Sequence, residues 1–328
     1  MKKKLGFYKF VDDSTYGKLV ETTVIDSPSR KKLVSSFYVD STEDTSDLIE
    51  AFSMIRRDCP ASLASFLGDG LTIYRGMSGQ EWNKIKSFYK VDYSKGTRSA
   101  ENTNDNYRML IDTNPNLSEY PKRSKSMIAT NDIEYATHYG FFYVVFPFSN
   151  AKIGVTETYD IFENRFDFLG VNVNVNEFSK FIEFGLDEEF KLNIGRQRTL
   201  ESLKSGIESG GGIKFFIKKM QKVFEKGMRY HERDEDIFVL TPEDLCKKYN
   251  FHDTDSFLNY IWDDVLNETN LKFSLKNGSS FYSSYSNDDN IECWISGDCY
   301  MLGPYHDSVE LSFAIDELKI ILDESFES

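Results

Sequence analysis

The sequence predicts an α+β fold in which a β-rich core is interrupted by a helical insertion. Two observations lead there. β-like runs gather at about residues 70–175 and again at 290–315, and the chain between them carries helical spacing instead. The expected organisation is an N-terminal flanking region with helices (1–69), the first part of the core (70–175), a helical insertion (176–287), and the last core strands with a C-terminal segment (288–328).

The elements follow in order. Residues 1–45 mix short β-like runs, KLGFYKFV and KLVSSFYV, with polar breaks. Leu48, Ala51, Phe52 and Ile55 recur at helical spacing, with Ser46 or Asp47 as a cap; Pro60 ends that helix or starts the next. LTIYRGM (71–77) reads as a strand, 80–88 as a helix, and 92–122 as polar loop. SMIA (126–129) is a short strand, and DIEYATHY (132–139) a short helix closed by Gly140. FFYVVFPF (141–148) is the strongest strand signal, with Pro147 near its end, and 152–155 continues the β character. NVNVN (172–176) reads as a brief exposed strand.

Beyond it, NEFSKFIEFGLDEEF, RTLESLKSGI and GIKFFIKKMQKVFEKGM are helical, the last two separated by Gly210, Gly211 and Gly212. In the last of these, Phe215, Phe216, Met220 and Phe224 form the expected apolar face, and Lys214, Lys218, Lys219 and Lys222 the solvated one. PEDLCKKY and TDSFLNYIWDDVLNET are two more helices. NIECWISGDCYML (290–302) holds two strands around Ser296-Gly297, and SVELSFAIDELKIIL (308–322) is a helix or a strand.

Composition narrows the function. Among 328 residues, 40% are hydrophobic and 15% aromatic, enough to form a core. The net charge of −14 repels phosphates and anionic lipid, so neither a nucleic acid nor a membrane is an expected partner. The cysteines (Cys59, Cys246, Cys293, Cys299) and four scattered histidines lack metal-ligand spacing. Free thiols in a reducing, cytoplasmic setting and no metal are expected. The opening MKKKLGFYKFVDDS has no apolar run of leader length, and no window approaches a membrane span.

Three stretches carry candidate chemistry. IYRGM ends a strand on Arg75, whose forked donors suit an anionic ligand, with Gly76 leaving room for close approach. RSKSMIATNDIEYATHYG places Ser124, Ser126 and Thr130 at a strand-to-helix turn; taken alone, Thr130 or Asn131 could equally be a helix cap. In NIECWISGDCYML, alternation puts Glu292 and Trp294 on one face and Ile291, Cys293 and Ile295 on the other. A carboxylate on such a strand is a site candidate because burying it unpaired is costly.

This order resembles the ADP-ribosyltransferase superfamily, the branch with Arg–Ser–Glu motif order, and most nearly its members encoded by tailed bacteriophages. YRGM resembles the first strand, SMIATNDIEYATHYG the Ser-Thr-Ser strand with its helix, and NIECWISGDCYML the last motif. The Ser-Thr-Ser positions fall on Ala129, Thr130 and Asn131, so Thr130 alone fits and Ser126 would act from an earlier position. Asn290 stands where the family has Glu or Gln.

The resemblance implies a split β-sandwich core and transfer of ADP-ribose from NAD, as substrate, to a host protein, without a metal. It implies Glu292, Arg75 and Ser126 as catalytic residues and Arg75, Gly76, Ser126, Thr130 and Tyr139 as NAD contacts. Glu292 would stabilise the positive charge that builds on the ribose, Arg75 would grip the pyrophosphate, and Tyr139 or Tyr74 would lie against a ring. A second acidic cluster, Glu232, Glu235 and Asp236, makes Glu235 the alternative acid. NAD hydrolysis at the same site, or an inert virion or binding protein of this fold, are the alternative functions.

Overall fold

The structure, a computed structural model, describes residues 45–68, 70–77, 88–92, 106–186, 199–228, 240–305, 308–309 and 311–312. The β-like runs before residue 45, most of the expected helix at 80–88, and the cluster of Glu232, Glu235 and Asp236 lie outside these residues.

Helix α1 (Thr45–Asp58) and helix α2 (Pro60–Leu67) lead in, with Pro60 in the first turn of α2, where a missing N–H does no harm. Strands β1 (Tyr74–Met77) and β2 (Phe88–Asp92), helix α3 (Asn106–Asp112), strand β3 (Met127–Thr130) and helix α4 (Ile133–Thr137) follow. Then come strands β4 (Phe141–Pro147), β5 (Lys152–Thr156), β6 (Arg165–Phe168) and β7 (Val171–Asn174). Helices α5 (Val175–Gly185), α6 (Leu200–Ser209), α7 (Ile213–Met228), α8 (Pro242–Lys248), α9 (Thr254–Tyr260) and α10 (Glu268–Leu271) form the helical block. Strand β8 (Phe273–Asn277), helix α11 (Gly278–Ser284) and strands β9 (Glu292–Ser296) and β10 (Asp298–Tyr305) follow, and residues 308–309 and 311–312 are helical, the rest of the expected C-terminal segment lying outside the described residues.

Local chemistry accounts for the boundaries. Asn174 with Glu177, Thr241 with Asp244, and Asn277 with Ser280 form reciprocal capping boxes at the starts of α5, α8 and α11. Gly211 and Gly212, at φ +106° and +80°, turn the chain between α6 and α7. Gly297, at φ +109°, turns β9 back into β10.

Among the described residues, eight strands form one antiparallel sheet in the order β2-β10-β4-β1-β3-β9-β5-β8, and β6-β7 form a separate hairpin. This mixture of helix and antiparallel sheet is the expected α+β class. One sheet face buries Ile73, Ala129, Tyr143, Val145, Ile153, Cys293 and Ile295 with Phe281 of α11. The other face is covered in two parts. Helices α1, α2 and α4 pack on Phe142, Val144, Phe146, Tyr300 and Leu302, while the helical block packs on Trp294 and Phe273.

Several details differ from the sequence expectation: Phe88, expected in a helix, opens β2, and in the NVNVN stretch, expected as an exposed strand, Val173 and Val175 are buried and Val175 opens α5. The stretch taken as polar loop contains α3, whose first six residues are all buried. The stretch taken as a helical insertion contains β8, which pairs with β5 at the edge of the sheet. In α7 Ile213, Phe216, Ile217, Met220 and Gln221 are buried, whereas Phe215 is exposed, with Lys219 Nζ 5.0 Å from its ring centre; the side chain of Phe224 lies outside the described residues. The free cysteines Cys59, Cys246, Cys293 and Cys299 are all buried.

Candidate functional site

The three stretches singled out in the sequence become β1, β3 and β9, which are consecutive in the sheet. Their register sets the site. Tyr74 lies opposite Thr130, Thr130 opposite Glu292, and Glu292 opposite Thr156 of β5. Four polar side chains therefore share one line and one face, because residues paired directly across antiparallel strands point the same way.

Glu292 is 6% exposed. Its Oε1 lies 2.6 Å from Nη2 of Arg123, itself 4% exposed, and its Oε2 accepts the Ile161 N–H at 3.3 Å. The Arg123 guanidinium lies over the Trp294 ring, 5.0 Å from its centre. Burial works against the charge on Arg123. The facing Glu292 and Tyr107 outweigh it and hold the guanidinium above its ordinary pKa.

The surrounding polar groups are also committed. Thr130 Oγ1 donates to the Ile291 carbonyl at 3.0 Å and accepts the Asp132 N–H at 3.1 Å. Asn131 Oδ1 accepts the Ile291 N–H at 3.1 Å, so residues 130 and 131 together fix the entry into β9. Thr156 Oγ1 donates to the Leu271 carbonyl at 2.7 Å and accepts from Asn164 Nδ2 at 2.9 Å. The Tyr135 hydroxyl donates to the Asp160 carboxylate, joining α4 to the turn that supplies the Ile161 N–H. Burial, then Asp160, raises the Tyr135 pKa.

The remaining candidates fall elsewhere. Arg75 pairs with Tyr143 of β4 and so leaves β1 on the face opposite Glu292. The ladder between β1 and β3 stops at Tyr74, and Arg75 Nη1 donates to the freed Ile128 carbonyl at 2.9 Å. Gly76 was expected to admit a ligand; the space above it is filled by α4, since a Cβ there would stand 2.0 Å from the Ala136 carbonyl oxygen and 2.8 Å from Tyr139 Cβ. Tyr139 itself is 42% exposed. Ser126 is fully buried, donates to the Lys122 carbonyl at 2.7 Å, and precedes Thr130 by four residues, about 13 Å of extended chain. The structure thus joins Glu292 to Thr130 and Tyr74, and leaves Arg75, Ser126 and Tyr139 apart from it.

Sequence reasoning missed Arg123, Asp160 and Thr156. A signal existed for the first: a buried carboxylate needs a cation, and Arg123 opens the very stretch that leads into β3. Among the described residues no cluster of His, Cys, Asp or Glu is placed to hold a metal ion, and no helix is long and apolar enough to cross a membrane. Comparison of the chain with protein-family models, with curated proteins and with solved structures finds no match.

Proposed function

We propose that the chain is a mono-ADP-ribosyltransferase that takes ADP-ribose from NAD to a protein acceptor, a host protein if the chain is phage-encoded. One observation carries the reading: strands with the Arg, Ser/Thr and Glu motifs, far apart in sequence, lie side by side with Thr130 directly opposite Glu292. The single residue pair between β1 and β3 supports reading the sheet as two halves of a split β-sandwich.

In this reading Glu292 supplies the negative charge that stabilises the ribosyl cation as nicotinamide leaves. Thr130 fixes the strand that carries it. Arg75 holds β3 against β1 where the ladder stops, in place of the pyrophosphate grip expected from sequence. No bound metal is required by this chemistry.

A second reading has its own support. Glu292 is 6% exposed, its Oε1 is paired with the Arg123 guanidinium and its Oε2 accepts the Ile161 N–H, and the Thr130 hydroxyl is spent on Ile291. That arrangement also suits an inert binding protein of this fold. Incubation with labelled NAD and a host lysate separates the readings. The transferase releases nicotinamide and labels protein, and both signals fall at least about a hundredfold in Glu292→Gln. Release without labelling marks a glycohydrolase. No release from the parent leaves the binding protein.

A further inference from the structure

We infer that Arg123 is the positioning residue of the site, holding the Glu292 carboxylate in one orientation for the proposed chemistry; the inference rests on that proposed function. The turn that carries Arg123 is fastened at three points. Asp112, at the end of α3, accepts the Arg123 N–H on Oδ1 at 2.7 Å and the Ser124 N–H on Oδ2 at 3.0 Å. Trp294 Nε1 donates to the Pro121 carbonyl at 2.7 Å. Ser126 Oγ takes the Lys122 carbonyl. From this fixed turn the guanidinium runs inward between Trp294 and Glu292.

The carboxylate is then met from two different parts of the chain, by the Arg123 guanidinium as an ion pair at Oε1 and by the Ile161 N–H at Oε2. Stability alone does not account for this device, because a buried ion pair contributes little that apolar residues of the same volume could not supply. Orientation does account for it. A charge meant to meet a developing cation must be held before the cation forms, and a misplacement of about 1 Å can cost about a hundredfold in rate.

The test measures nicotinamide release under steady-state conditions, with kcat and KM for NAD resolved, for the parent, Arg123→Lys and Asp112→Asn. Arg123→Lys keeps the charge and loses the planar guanidinium that lies over Trp294. Asp112→Asn leaves both members of the ion pair intact and loosens only the turn. The expected result is a kcat lower by about a hundredfold for Arg123→Lys and about tenfold for Asp112→Asn, with KM within about threefold of the parent in both. Should Arg123→Lys fail to fold, Asp112→Asn carries the test. An active parent whose variants keep kcat within about twofold, or lose activity only through a raised KM, overturns the inference alone. A parent that releases no nicotinamide overturns the proposed function and this inference with it.

Discussion

The two wings of the sheet share one register line and bury different chemistry along it. Phe88, Leu302 and Val144 continue the line that runs through Tyr74, Thr130, Glu292 and Thr156 to Phe273. On β10 and β4 both faces are apolar: Val144, Phe146 and Leu302 on one, Tyr143, Val145 and Met301 on the other. On β3, β9 and β5 the same depth holds Thr130, Glu292 and Thr156, none more than 6% exposed. Depth therefore does not decide the chemistry. The apolar wing asks only for shape, whereas every polar group in the other wing needs a partner. The partners of Glu292 and Thr156 come from the turns at 121–125 and 157–164 and from the end of α10, so the polar wing dictates where these must sit.

The contrast can be broken or sharpened by experiment. Arg123→Met leaves Glu292 buried without its cation and is expected to destabilise by about 3–5 kcal/mol in denaturant unfolding; adding Glu292→Leu recovers most of that loss. A single variant within about 1 kcal/mol of the parent would show that the polar wing is not held as described. Leu302→Ala, in the apolar wing, is expected to lower stability by about 3 kcal/mol. If the proposed activity holds, its kcat stays unchanged at temperatures where the protein is folded.

Gly154→Ala would place a Cβ 2.1 Å from Trp294 Cε2, and overpacking there should lower stability by about 2 kcal/mol, read as a lower melting temperature. Thr156→Val removes the hydroxyl shared by Leu271 and Asn164, with an expected loss of about 1 kcal/mol in the same assay.

The last effect is confined to alkaline pH. Burial, with Asp58 beside it, pushes the Cys59 thiol up from 9.0 to about 12. Burial likewise pushes the Tyr74 hydroxyl up from 10.0 to about 12. Above about pH 9 the unfolded chain releases these protons while the folded chain keeps them. Stability is therefore whole below that pH and declines toward about pH 12. A melting temperature followed over this range should fall, and Cys59→Ala should flatten the early part of the slope.

Much of the sheet was legible in the sequence. All of FFYVVFPF but Phe148 became β4, buried at every position of the strand, and the turn at Ser296-Gly297 separated β9 from β10. The face shared by Glu292 and Trp294 followed from alternation alone. Helix α3 escaped because Asn106, Tyr107 and Arg108 are buried beside Met109, Leu110 and Ile111, so no polar stripe marks an outer face. Strand β8 escaped because Lys276 and Ser274 interrupt Phe273 and Leu275, and only edge pairing with β5 makes the segment a strand. At the site, Arg75 and Glu292 were expected to converge. The pleat separates them, and the cation that does meet Glu292 arrives from a loop whose path no local pattern encodes.

The place of β9 bears on how the chain reaches this arrangement. It inserts between β3 and β5, two strands made long before it. While the ribosome translates the intervening stretch, both of those strands offer open hydrogen-bonding edges to any passing polypeptide. Closure waits on a late, long-range event, which makes folding slow for the size of the sheet. A shortened chain stopping before residue 290 should clump rather than settle as a smaller stable body.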